Sequence, residues 1–257
     1  MRIRSPRTYQ GTVFFVAGLA SLVACALVGF RGLYSGHLTH ISLIWNLFLA
    51  WIPWCFALLA DRAFQKAGRV TLAVAIYSLC WLLFFPNAPY IVTDFLHLQA
   101  RYPIPIWFDL FLIFSFAWAG LFLGFSSLYT MQRLVARKFG RLLGWTFTLV
   151  MLGLSSVGIY LGRFLRWNSW DVLVDPRGLA SDILGRMIHP TSDLRIYAVS
   201  FLATVVFASV YFTLYAMTQV SREENGGTRG QGDEETGGKP VMEGKALGQE
   251  RSVTSYE

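Results

Sequence analysis

The sequence predicts an all-α protein: a polytopic bundle of about six transmembrane helices, followed by a disordered C-terminal tail. Of its 257 residues, 54% are hydrophobic and only 14% are charged, whereas soluble domains carry about 25% charged residues. The apolar residues are gathered into long uncharged runs. These runs lack the alternation of apolar and polar residues that is typical of membrane strands, which argues against a β-barrel.

Six uncharged runs define the predicted helices, and each has the roughly 20 residues needed to cross the hydrocarbon core of a bilayer. They are Thr12–Phe30, Ile41–Ala60, Val70–Thr93, Leu110–Gln132, Leu142–Gly162 and Ile196–Ser221. We therefore expect a short N-terminal segment over residues 1–11, a transmembrane domain over 12–220 and a tail over 221–257. The tail is rich in glycine and charge, so it buries too little apolar surface to offset the entropy of ordering.

The third predicted helix contains the most informative segment, WLLFFPNAPYIVTDFLH, at Trp81–His97. The helix is expected to break at the Pro-Asn-Ala-Pro stretch 86–89, because proline lacks a backbone donor and clashes with the preceding turn. Asp94 and His97 follow, and their spacing of three places them on one helical face. In the fourth helix, Gly120 and Gly124 predict a close approach of a neighbouring helix.

Charge predicts the orientation in the membrane. Before the tail there are 17 Lys and Arg residues, and ten of them lie at one set of helix ends. Short basic loops stay in the cytoplasm, so both termini are expected to be cytoplasmic. The net charge of +7 then reflects topology and contact with membrane lipids. No nucleic-acid partner is expected, and the sequence identifies no protein partner and no cofactor.

Acidic and histidine residues are concentrated on the opposite, outer face. Residues 1–220 contain no Glu and seven Asp, of which only Asp61 maps to the cytoplasmic side. The other six Asp residues and all four histidines map to the outer side. The outer face therefore holds most of the side chains that could carry acid–base or metal chemistry.

The candidate site residues form three groups on that face. The first lies after the proline break, the second opens the fourth helix, and the third lies where the fifth helix leaves the membrane. In this order the groups are Asn87, Tyr90, Thr93, Asp94 and His97; Asp109; and Arg163, Arg166, Asn168 and Asp171.

Two of these groups carry a family resemblance. The segments FPNAPYIVTDFLHL (Phe85–Leu98) and YLGRFLRWNSWD (Tyr160–Asp171) resemble the two hallmark segments of the DUF1361 family, which are predicted multi-pass bacterial membrane proteins of undefined function. The resemblance covers about residues 40–220 and excludes the tail. It implies a location in the bacterial cytoplasmic membrane and the importance of the two segments. It implies no activity.

Several functional hypotheses stay open at this stage. In the first, the arginines bind an anionic or lipid-linked substrate, with Asp94 or His97 as the candidate general base; such an enzyme would be a transferase or hydrolase at the outer leaflet. In the second, the charges only clamp helices together, with Asp94, Asp109 and Asp171 paired to Arg163 and Arg166, since charges within membranes tend to pair. A transporter is a third hypothesis. A metal site built from His37, His40, Asp94 and His97 is a weaker alternative.

Overall fold

The computed structural model describes residues 6–100, 103–164, 174–178, 181, 185 and 194–236. Within these residues the chain is helical and contains no β-strand. The helices are α1 (Pro6–Ser35), α2 (Ser42–Ala67), α3 (Leu72–Phe84), α4 (Asn87–Tyr90), a 3₁₀ helix (Ile91–His97), α5 (Ile106–Phe139), α6 (Arg141–Phe164) and α7 (Leu194–Thr236).

Six helical segments are long and apolar enough to cross a membrane, which confirms the predicted fold class. They are Tyr9–Ser35, Ser42–Ala67, Leu72–His97, Ile106–Phe139, Arg141–Arg163 and Tyr197–Thr218. Large apolar side chains point away from the bundle, including Phe15, Leu142 and Phe201, which are 70%, 80% and 71% exposed. An apolar surface of this extent is unfavourable in water and suits contact with lipid.

The third span is interrupted where the sequence predicts it. α3 ends at Phe84, and α4 and the 3₁₀ helix follow the proline stretch. α3 alone is about 20 Å long at 1.5 Å per residue, which is shorter than the roughly 30 Å of hydrocarbon. The span is therefore completed by α4 and the 3₁₀ helix, so the segment that carries Asp94 is part of the span itself.

α5 lies at the centre of the bundle and packs against α1, α2, α4 and α6. Its buried side chains include Leu112, Phe116 and Leu123, each fully buried. Further along α5, Phe125 contacts the rings of Phe207 and Tyr211 on α7. Because α5 contacts all of these helices, we define the two ends of the bundle by the two ends of α5.

We name the two ends after their buried aspartates. The Asp94 end holds Asp94 and Asp109, and the Asp61 end holds Asp61. At the Asp61 end, Oδ1 of Asp61 accepts a hydrogen bond of 2.9 Å from Nη1 of Arg137, and Oδ2 accepts one of 2.6 Å from Gln65. The pair of Asp61 and Arg137 joins α2 to α5. A carboxylate that is removed from water needs hydrogen-bond donors of this kind.

The chain divides into two units, Arg4–Tyr215 and a second unit that contains Ala216–Glu257. In the second unit, α7 runs to Thr236, whereas the sequence places the start of a disordered tail at residue 221. An existing helix extends without a new nucleation step, and Arg222, Glu223 and Glu224 are favourable helix formers. Residues 237–257, the rest of the predicted tail, lie outside the described residues.

Candidate functional site

The Asp94 network is a cluster of six side chains: Asn46, Tyr90, Thr93, Asp94, His97 and Arg163. Its centre is an ion pair in which Nη2 of Arg163 donates to Oδ1 of Asp94 at 2.8 Å. The same guanidinium donates through Nε to Oγ1 of Thr93 at 2.9 Å and lies 2.7 Å from Nε2 of His97 through Nη1. Arg163 at the end of α6 is thereby connected to three side chains of the 3₁₀ helix.

The 3₁₀ geometry explains why these three side chains reach one arginine. Residues three apart are aligned along a helix that has three residues per turn. Asp94 and His97 therefore point to the same side, and Thr93 lies beside Asp94. The sequence predicts their shared face from α-helical spacing, and the structure brings both side chains to Arg163 with 3₁₀ spacing instead.

Two further side chains complete the network from other directions. Nδ2 of Asn46 on α2 donates to Oδ2 of Asp94 at 2.9 Å, so each carboxylate oxygen has a hydrogen-bond donor. The ring of Tyr90 lies 5.0 Å from the Arg163 guanidinium carbon, within the range of a cation–π contact. The network therefore joins α2, α4, the 3₁₀ helix and α6.

Small residues hold the proline stretch against its neighbours. A Cβ atom added at Gly120 would lie 2.9 Å from the carbonyl oxygen of Ala88 and 2.8 Å from Cδ1 of Ile91, and one added at Gly124 would lie 3.0 Å from Cβ of Ala88. The close approach predicted for this glycine pair is present, and its partners are α4 and the 3₁₀ helix. Backbone contact at α5 thus fixes the segment that carries Asp94.

Asp109 forms an ion pair that is separate from the Asp94 network. The clamp hypothesis, in contrast, groups Asp109 with Arg163 and Arg166. Its Oδ1 accepts from Nε of Arg31 at 2.6 Å, and its Oδ2 accepts from Nη2 at 3.0 Å. Arg31 also donates to Thr39 at 3.0 Å, and Nε2 of His40 lies 3.5 Å from Oδ2 of Asp109. Asp109 and Arg31 are 1% and 2% exposed. Arg31, near the end of α1, is the partner of Asp109 because α1 packs directly on α5, the helix that carries Asp109.

The remaining predicted residues are distributed differently. Asn87 donates from its side chain to the carbonyl oxygen of Phe84 at 3.1 Å, across the break between α3 and α4. Arg166, Asn168 and Asp171 lie outside the described residues, as does most of the loop that follows them.

The four residues of the metal hypothesis do not come together. His40 lies beside Asp109 and His97 beside Arg163. The two pairs of the hypothesis are apart because His37 and His40 follow α1, whereas Asp94 and His97 follow α4. Across the described part of the chain, no group of three or more His, Cys, Asp or Glu side chains is placed to hold a metal ion.

Sequence reasoning missed Arg31 and Asn46 as site residues. Each had a signal: Asn46 is the only amide side chain of the second run, and Arg31 is the charge that ends the first. A polar side chain within a membrane span requires a partner. The sequence indicates that such partners exist, and only the packing of α1 and α2 on their neighbours identifies them.

Comparison with known proteins agrees with the fold and adds no activity. Neither the curated proteins nor the solved structures contain a match to this chain. Residues 45–220 match the family described as "Protein of unknown function (DUF1361)", and this range includes both the proline stretch and Arg163. The chain is a multi-pass membrane protein that belongs to the DUF1361 family.

Proposed function

We propose that this protein binds an anionic, lipid-linked molecule at the Asp94 network, with Arg163 as the anion-binding residue. A guanidinium has five N–H donors in a planar fork that matches phosphate and carboxylate oxygens. Within the described residues, Arg163 uses three of these donors, on Thr93, Asp94 and His97. Donors therefore remain for a ligand that approaches the edge of the guanidinium.

The gradient of exposure across the network is the observation that carries this proposal. The Asp94 side chain is 9% exposed and that of Arg163 is 13% exposed, whereas His97 is exposed. The buried carboxylate thus orients the guanidinium, and the guanidinium reaches a surface histidine. A preorganised cation with one accessible edge lowers the entropic cost of binding an anion.

His97 extends the proposal to catalysis. Its Nε2 lies 2.7 Å from Nη1 of Arg163, and it accepts from that N–H in the tautomer that carries the ring proton on Nδ1. An anion bound to Nη1 of Arg163 would take over that donor and leave the Nε2 lone pair available. His97 could then accept the proton of an attacking hydroxyl or water, as a hydrolase or transferase requires.

We also propose that both termini face the cytoplasm of a bacterial cell and that the Asp94 end faces outward. In the sequence, ten of the 17 basic residues before the tail fall near the start of α1, near the α2–α3 junction or near the α5–α6 junction, and basic loops prefer the cytoplasm. Reporter fusions test this: a periplasm-active reporter after Met131 and a cytoplasm-active one after Leu98 should both stay silent. A strong signal from either would reverse the orientation.

The second candidate function is an accessory role in which the network only clamps helices. Two observations favour it. Both carboxylate oxygens of Asp94 accept hydrogen bonds from protein donors, and Arg163 connects α6 to the 3₁₀ helix. A clamp and a binding site differ in what His97 does, since an exposed histidine contributes little to a clamp.

The test compares two exposed histidines at the same end. Purified protein is titrated with a short-chain polyprenyl phosphate, and binding is followed by native mass spectrometry. His97→Ala should tighten binding by up to about tenfold, because the anion would no longer compete with His97 for the Nη1 donor of Arg163, a contact worth about 1 kcal/mol. The matched variant His37→Ala, whose side chain is also exposed, should bind as the wild type does. Equal affinities for both variants and the wild type would favour the clamp.

A further inference from the structure

The Asp61 end carries a polar cleft that the proposed site does not use. Side chains of α1, α2 and α5 line it, and it is a shallow recess whose enclosed space holds about one water molecule. The lining residues are Tyr9, Gln10, Asp61, Thr130, Arg133 and Arg137. The cleft is open at its mouth, so a group that rests at its rim can reach these side chains.

The cleft carries an excess of positive charge. Asp61 is 4% exposed, and its charge is matched by Arg137, whose Nη1 lies 2.9 Å from Oδ1. Arg133 supplies a second cation. Its guanidinium carbon lies 5.7 Å from the centre of the Tyr129 ring, and within the described residues it forms no salt bridge, since Asp61 is paired to Arg137. These three side chains leave a net charge of +1 in the cleft.

The position of the cleft along the bundle matches the headgroup region of a bilayer. Asp109 and Arg133 are 24 residues apart on α5, which is about 36 Å at 1.5 Å per residue. The hydrocarbon core is about 30 Å thick, so the two charges lie near its opposite boundaries. Neighbouring helix ends add Arg62, Lys66, Arg69, Lys138 and Arg141.

We infer that this cleft binds the phosphate of an anionic molecule, with Arg133 as the principal ligand. Arg133 offers a planar pair of donors to phosphate oxygens, the Gln10 amide adds a neutral donor, and Arg137 adds positive charge while it holds Asp61. Two sources share this chemistry: the headgroup of an anionic lipid and a soluble phosphate compound. Basic pockets between membrane helices are suited to anionic headgroups. The inference does not rest on the function proposed for the Asp94 network.

The experiment uses full-length protein in a neutral detergent and native mass spectrometry. Short-chain phosphatidylglycerol is titrated first, then phosphatidylcholine of equal chain length, then inorganic phosphate as a competitor. Phosphatidylglycerol should bind saturably, and Arg133→Gln should weaken its binding about tenfold or more. Lys138→Gln removes the same charge from an exposed residue of the same helix end and should change affinity less than about twofold.

The competitor separates the two sources: displacement of phosphatidylglycerol by millimolar phosphate indicates a soluble ligand, and resistance to it indicates a lipid headgroup. Non-saturable binding, or equal weakening by Arg133→Gln and Lys138→Gln, overturns the site, because diffuse charge would then explain the attraction. Arg133→Lys guards against a folding defect, since it keeps the charge and removes the planar donor pair. It should bind more weakly than the wild type, and equal binding overturns the assigned role of the guanidinium.

Discussion

Two arginine–aspartate pairs lie at the same end of this bundle, and they differ in what surrounds them. Arg31 and Asp109 form a two-point contact in which both residues are almost completely buried. Arg163 and Asp94 form a single-point contact, and the rest of the guanidinium is shared among Thr93, His97 and Tyr90. The first pair is closed, and the second opens towards an exposed histidine.

The difference shows how the same two residue types serve two purposes. A closed pair in a low-dielectric setting satisfies both charges within the protein and leaves little for a ligand to replace. An open pair keeps its cation oriented while one edge stays accessible. We therefore assign α1–α5 cohesion to Arg31 and Asp109, and we place the proposed ligand at Arg163.

The largest effect is expected from breaking the closed pair. Asp109→Ala leaves the Arg31 charge buried without its carboxylate, which should lower the free energy of unfolding by about 3–5 kcal/mol. Denaturant titration in detergent micelles measures this loss. The double variant Arg31→Met with Asp109→Leu should recover most of it, because an apolar pair removes the uncompensated charge. A double variant no more stable than the single one would show that the pair is needed for more than charge balance.

Breaking the open pair of Arg163 and Asp94 should lower the free energy of unfolding by a smaller amount. Asp94→Ala removes the acceptor of both Arg163 and Asn46, but Arg163 keeps its other contacts and some access to solvent. We expect a loss of about 2–3 kcal/mol in the free energy of unfolding, measured in the same titration. If Asp94→Ala destabilises the protein as much as Asp109→Ala does, the two pairs do not differ in the way described above.

Packing beneath the open pair offers a third test. Gly120→Ala would bring a methyl group within 2.9 Å of the carbonyl oxygen of Ala88, and such overpacking should cost about 1–3 kcal/mol. It should also weaken ligand binding at the Asp94 network, because α4 must shift. Gly153→Ala on α6 is the control: its added Cβ meets nothing within 4 Å, so stability should stay equal or rise slightly.

The smallest effect on stability is expected at the open edge of the network. His97→Ala should change the free energy of unfolding by less than about 0.5 kcal/mol, as is usual for exposed positions. The same titration measures it, with His37→Ala alongside. A loss of more than about 1 kcal/mol in His97→Ala alone would mean that His97 belongs to the structural part of the network.

The sequence predicts the six helices and the break in the third one well, because hydrophobic runs and proline act locally. It also predicts that Asp94, His97 and Arg163 belong together, since each is an ionisable group at the same predicted boundary. It does not predict Arg31 as the partner of Asp109. Charge at a helix end has several candidate partners within reach, and the choice depends on which helices are neighbours.

What the sequence by itself determined is the class of the protein, the number of spans and the position of the proline stretch. These follow from the requirement that every backbone polar group in a membrane be satisfied within its own segment. Only the tertiary structure decided which charges pair, because pairing depends on contacts between distant helices. Gly120 and Gly124 contribute to that decision: without side chains on α5, α4 and the 3₁₀ helix approach closely, and Asp94 comes within reach of Arg163.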